Sequence, residues 1–156
     1  MIFHILMNQV TTLFLSLNLL TTLSFDSEIE SYLYGGSAEE MFFQVTGNNK
    51  TLALRPKTEG GFSNLMVITK NRKYYFDLKY DKARPHQFIE VKDGVMNHAL
   101  TKKMKTADFE ILEGDNSILF MNLKSSEVEV SGVKVKHQEY LSKGVPIILD
   151  GKRISN

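Results

Sequence analysis

From Phe25 onward, apolar residues recur with a period of two rather than 3.6, in short runs rich in β-branched and aromatic side chains separated by Gly, Asn, Asp and Ser. The pattern predicts a mainly β protein, an antiparallel β-sandwich with at most one short helix. Ile29 to Tyr34 and Met41 to Thr46 read as strands on either side of Gly35-Gly36-Ser37. Thr51 to Arg55 is a third, ended by Pro56, which has no N–H to give to a ladder. Asn64 to Thr69 is almost continuously apolar, which predicts a strand covered on both faces. Tyr74 to Tyr80 alternates instead: Tyr74, Phe76, Leu78 and Tyr80 share one face, Tyr75, Asp77 and Lys79 the other. The polar stretch Lys70 to Lys73 joins these two strands as a hairpin, with Asn71 able to turn left-handed at low cost.

Ala83-Arg84-Pro85 breaks the alternation before a further strand, Gln87 to Lys92, and Asp93-Gly94 signals a turn. Met96, Leu100 and Met104 then recur every four residues, the spacing of a short amphipathic helix with Lys102, Lys103 and Lys105 on its wet side; a loop is the alternative. Strands follow at Asp108 to Leu112 and Ser117 to Leu123. In Glu127 to Lys136 a two-residue turn at Ser131-Gly132 would set Val130 against Val133 and Val128 against Val135. Glu129 would then face Lys134 on the opposite side, so both faces agree on one register; one continuous strand with a glycine bulge is the other reading. Asp150-Gly151 predicts a last hairpin.

The first 24 residues carry no charged side chain. The apolar run Leu13 to Leu23 has the length of a signal-peptide core, with Thr22 and Ser24 as small residues ahead of a cleavage point, although no Lys or Arg precedes it. A membrane anchor and a buried helix are the alternatives. The organisation expected is thus residues 1–24 as a signal peptide or N-terminal anchor and residues 25–156 as a single periplasmic β domain.

Net charge is only +1, but it is unevenly placed. Residues 1–49 hold five acids and no base, so all 19 Lys and Arg lie beyond, against 13 of the 18 acids, and that part carries +6. The excess is spread thinly and forms no basic arm, so nucleic acid is not an expected partner. No cysteine is present, which excludes disulfides, thiolate metal sites and thiol catalysis.

Candidate chemistry is sparse. No two of His4, His86, His98 and His137 stand three or four residues apart, as a paired ligand motif requires. Asp77, Asp81, Glu90 and Asp93 fit the wet faces and ends of strands better than an acid–base pair. No nucleophile elbow or phosphate loop occurs. Asn49-Lys50-Thr51 has the form of a glycosylation sequon, and Tyr74, Phe76 and Tyr80 fit a sandwich core better than a base-stacking platform. The expectation is a non-enzymatic protein without cofactor or metal.

One stretch carries more. Gly47-Asn48, Leu52 to Lys57, Ser63 to Thr69 and Arg72 to Leu78 resemble, in order, the G-N, L-x-L-x-P-K, S-N-L-x-V-x-T and R-x-Y-x-F-x-L segments of the TrbG/CagX-like family, in its N-terminal domain only. These are periplasmic components of the outer-membrane core complex in type IV secretion and conjugation systems. The resemblance implies structural or assembly roles for Pro56, Asn64, Leu65, Arg72, Tyr74, Phe76 and Leu78. It also implies other secretion-complex subunits as partners, self-association in a ring, and contact with membrane only through residues 1–24 or through partners. The other reading is a free-standing extracytoplasmic β-sandwich that binds a peptide or carbohydrate.

Overall fold

A computed structural model describes residues 1–155. Among them there is no helix, and the strands are β1 (Ile2–Ile5), β2 (Val10–Leu15), β3 (Thr21–Phe25), β4 (Ile29–Tyr34), β5 (Met41–Thr46), β6 (Thr51–Pro56), β7 (Asn64–Thr69), β8 (Lys73–Tyr80) and β9 (Phe88–Asp93). They continue as β10 (Thr101–Lys105), β11 (Phe109–Glu113), β12 (Ile118–Asn122), β13 (Val128–Val130), β14 (Val133–Val135), β15 (Gln138–Leu141), β16 (Ile147–Leu149) and β17 (Lys152–Ser155). The mainly β, sandwich-like class read from the sequence is the class observed. Contacts gather the residues into two compact units, residues 1–2 with 10–92 and residues 3–9 with 93–156, where the sequence had suggested one domain from residue 25.

In the first unit β9, β3, β6 and β5 lie side by side in one sheet, and β2, β8, β7 and β4 in another. Not every pair is antiparallel as expected: β2 runs parallel to β8, and β3 to β9. Leu13, Leu15, Leu23, Leu52, Leu54, Val67 and Phe76 are fully buried.

Residues 1–24 are folded as β1, β2 and most of β3, and β2 and β3 supply Leu13, Leu15 and Leu23 to this core. The charge-free run has a physical reason here, since every residue of β2 after Val10 is buried, on both faces of the strand. Asn18 adopts a φ of 64° in the turn between β2 and β3, conformationally cheap for Asn. No helix among the described residues is long and apolar enough to cross a membrane.

The second unit contains the four-stranded sheets β10-β11-β12-β15 and β14-β13-β16-β17. They share a core that includes Phe109, Ile111, Phe120, Val130 and Ile147, with the rings of Phe109 and Phe120 stacked at 5.5 Å. β13 and β14 form the hairpin expected, pairing Val130 with Val133, Glu129 with Lys134 and Val128 with Val135. Ser131 and Gly132 both take positive φ, as a two-residue hairpin turn requires. Asp150 and Gly151 do the same between β16 and β17.

The expected helix around Met96, Leu100 and Met104 is absent. Met96 and Met104 are exposed, and Thr101–Lys105 instead adds to β11 as an edge strand with a bulge between Lys102 and Met104. Three apolar residues offered too little surface to bury a helix face, whereas β11 offered a backbone template.

Candidate functional site

The family-like stretch folds as β6, a connecting loop, and the β7–β8 hairpin. Gly47, Asn48 and Asn49 all have positive φ, so the Gly-Asn pair forms the left-handed loop that turns β5 back into β6. Pro56 is the buried last residue of β6, opposite Met41. Leu65, Tyr74, Phe76 and Leu78 are buried too, with Leu65 paired to Phe76 and Val67 to Tyr74. These five residues are core, and what they offer is the shape of the sheet.

Asn64 and Arg72 stand apart. Asn64 opens β7 at the surface, and its carbonyl accepts a hydrogen bond from the Gly35 N–H at 2.9 Å. A Cβ on Gly35 would press on the ends of the Asn64 and Ser63 side chains, which would have to turn aside. Arg72 folds back on its own hairpin, its guanidinium 4.3 Å from the centre of the Tyr74 ring; Tyr74 in turn packs on Phe25 at 5.1 Å. The turn before it is closed by Thr69 rather than by a left-handed Asn71. The Thr69 hydroxyl accepts from the N–H groups of Asn71 and Arg72 at 3.3 and 3.2 Å and donates to the Arg72 carbonyl at 3.0 Å.

β7 is not covered on both faces as its composition suggested. Leu65, Val67 and Thr69 are buried, but Met66 and Ile68 only half so. Met66 belongs to a row that crosses the whole outer face of its sheet: Val10 of β2 is registered with Tyr75 of β8, Tyr75 with Met66 of β7, and Met66 with Leu33 of β4. Val10 is 50% exposed, Tyr75 41% and Leu33 59%. The row lies along a shallow groove of about 330 Å³. Its nearest outward neighbours along β8 are Lys73 and Asp77, so an apolar stripe is bordered by charge, the pattern of a protein-binding surface.

At the β4 end, Tyr32 and Tyr34 turn the other way and meet Phe43 of β5 at 5.1 and 5.3 Å. The Ser63 N–H donates to the Tyr34 hydroxyl at 3.2 Å, which itself donates to Glu40 Oε2 at 2.6 Å. Burial, then the bond to Glu40, raises the Tyr34 pKa to about 12. Tyr34 therefore stays protonated and holds the loop after β4 in place.

Asp81 and His86, two of the chemistry-bearing residues, hold main chain in place. The Asp81 carboxylate accepts from the N–H groups of Ala83 and Arg84 at 2.9 and 3.0 Å, closing the turn after β8. His86 is buried, and its Nδ1 accepts from the Phe14 N–H at 3.0 Å, a latch on β2 with no signal in the residue pattern. Among the described residues, no three of His, Asp and Glu gather as metal ligands. Tyr74 and Phe76 are buried, and Tyr80, half-buried, packs against Phe62 at 6.3 Å.

Val10, Leu33, Met66 and Tyr75 are the residues that reading the sequence missed. Val10 lay inside the supposed leader, and Tyr75 inside a face marked polar by Asp77 and Lys79. The usable signal was the unbroken apolar run of β7, whose outward residues need neighbours of their own kind. No protein-family model matches this chain, and no curated protein matches it.

Proposed function

We propose that the chain is a non-enzymatic structural subunit that works by protein–protein assembly, in the periplasm, as part of a type IV secretion or conjugation envelope complex. The observation that carries the assembly part is the apolar row Val10–Tyr75–Met66–Leu33. A four-stranded sheet normally turns a polar face to water, and a stripe of this kind fits an interface better than a wet surface. The secretion part rests on the resemblance of residues 47–78 to the TrbG/CagX-like family, whose segments here form one continuous piece of the first unit. On this reading the partners are other subunits of the complex and further copies of the chain in a ring, and residues such as Phe76 and Leu78 hold the sheet whose outer face is recognised.

Co-purification of the tagged chain from cell envelopes, followed by electron microscopy, tests this. Recovery within a large ring-like particle is the expected result. Recovery as a free monomer from the periplasmic fraction would contradict it and leave the free-standing binding module as the better account.

A further inference from the structure

We infer that β4 is a self-recognition edge, through which two copies of this chain pair antiparallel about a twofold axis at Leu33; the inference rests on the assembly reading above and names one contact within it.

β4 is the end strand of β2-β8-β7-β4, so one side of its backbone has no strand beside it. Gly35 donates to Asn64 on β7, and antiparallel pairs alternate between bonded and unbonded. Leu33 and Ser31 therefore direct their N–H and C=O groups to β7, while those of Tyr32 and Tyr34 point outward. Among the described residues, no main-chain bond from a loop reaches Tyr32 or Tyr34.

Exposed edges are usually guarded by lysine, proline or a bulge. β10 carries Lys102, Lys103 and Lys105 together with a bulge, and β17 carries Lys152 and Arg153. β4 reads Ile-Glu-Ser-Tyr-Leu-Tyr, with no lysine or proline, and its irregularity lies before Ser31. Of the other edges, β5 and β15 also lack lysine but expose no large apolar side chain, and β1, which exposes Ile2, is bonded through His4 to Lys143 in both directions. β2 is met on its open side at Phe14, whose carbonyl accepts from the His86 N–H and whose N–H donates to His86 Nδ1.

The register follows from the backbone. The regular run is Ser31 to Gly35, bounded by the bulge on one side and by the loop on the other, and its centre is Leu33. Pairing about that centre sets Tyr32 opposite Tyr34 of the second copy, the residues with free backbone groups on both sides. Leu33 meets its own counterpart in an unbonded pair, where Cα atoms approach to about 4.5 Å. Glu30 falls opposite Gly36, so no like charges collide. The two sheets then become one of eight strands, and the apolar row runs unbroken from Val10 of one copy through both Leu33 residues to Val10 of the other. The contact is isologous, as a twofold interface must be.

A chain without cysteine gives a direct test. In Leu33→Cys the two thiols would lie within disulfide reach, and mild oxidation should yield a covalent dimer. Ser31→Cys would place its thiols ~13 Å apart, four residues along the paired strands, and should remain uncrosslinked. Light scattering should give a dimeric mass for the wild type and a monomeric mass for Leu33→Lys, with Leu33→Lys keeping one cooperative melt, lowered only by the lost association, because the side chain is exposed in the single copy. A monomeric wild type with no Leu33→Cys dimer would overturn the inference, as would Ser31→Cys crosslinking as fast as Leu33→Cys. Loss of the β4 contact with envelope co-purification intact would remove this inference alone. A β4-linked dimer found free of any envelope particle would uphold it and remove the secretion reading.

Discussion

Phe76 and Arg72 lie four residues apart in the same family-like segment and do different work. Phe76 is fully buried, so Phe76→Ala should destabilise the first unit by about 3–5 kcal/mol, read by urea or thermal unfolding; a variant that melts like wild type would contradict its inward placement. Arg72→Ala removes a stacking contact at a partly wet site and should cost only about 0.5–1 kcal/mol in the same measurement. Tyr34 gives a pH signature. Its pKa is raised to about 12 in the folded protein, against about 10 in an unfolded chain. Between those values the folded state keeps a proton that the unfolded state gives up, so the contribution is full below pH 10 and is lost as the pH rises towards 12. Tyr34→Phe should lack this alkaline loss, as denaturant midpoints measured across that window will show. The inward placement of Phe76 could be read from strict alternation. The Tyr34–Glu40 bond could not, because it depends on how the Gly35-Gly36 loop folds back.

At the level of elements, turn chemistry decides register in the second unit. A Cβ on Gly132 would meet no atom within 4 Å, yet its φ is 83°. Gly132→Ala should therefore cost about 1–2 kcal/mol through backbone strain alone, measured by unfolding with the β13–β14 pairing otherwise intact. That hairpin was legible because its turn residues, valines and charges all favoured one register. β10 was not, because its four-residue apolar spacing is equally compatible with an extended segment, and only the edge of β11 decides between them. Residues 1–24 show the same limit more sharply: a charge-free apolar run suits a leader, an anchor or a strand buried on both faces, and composition does not separate these. Since β2 and β3 supply Leu13, Leu15 and Leu23 to the core, a chain lacking residues 1–24 should fail to fold its first unit. Circular dichroism and a lost cooperative melt would show this, whereas a truncated chain melting like the whole one would contradict it.

For the whole molecule, the candidate surface is what the two sheets of the first unit leave over once their inner faces have packed. The sequence disclosed the strands that carry it, but not the row itself, because Val10, Tyr75, Met66 and Leu33 come from four separate strands and meet only through register. Tyr75 stands within that row, on the outward face of a strand whose inward residues make the core, so Tyr75→Glu should leave folding within about 0.5 kcal/mol of wild type while placing a charge in the stripe. Whether this face is an assembly surface is read from the mass of the particle that contains the chain in detergent-solubilised cell envelopes. Wild type should sediment in a large complex and Tyr75→Glu, equally stable, as a small free species; the same large particle for both would show that this face is not an assembly surface.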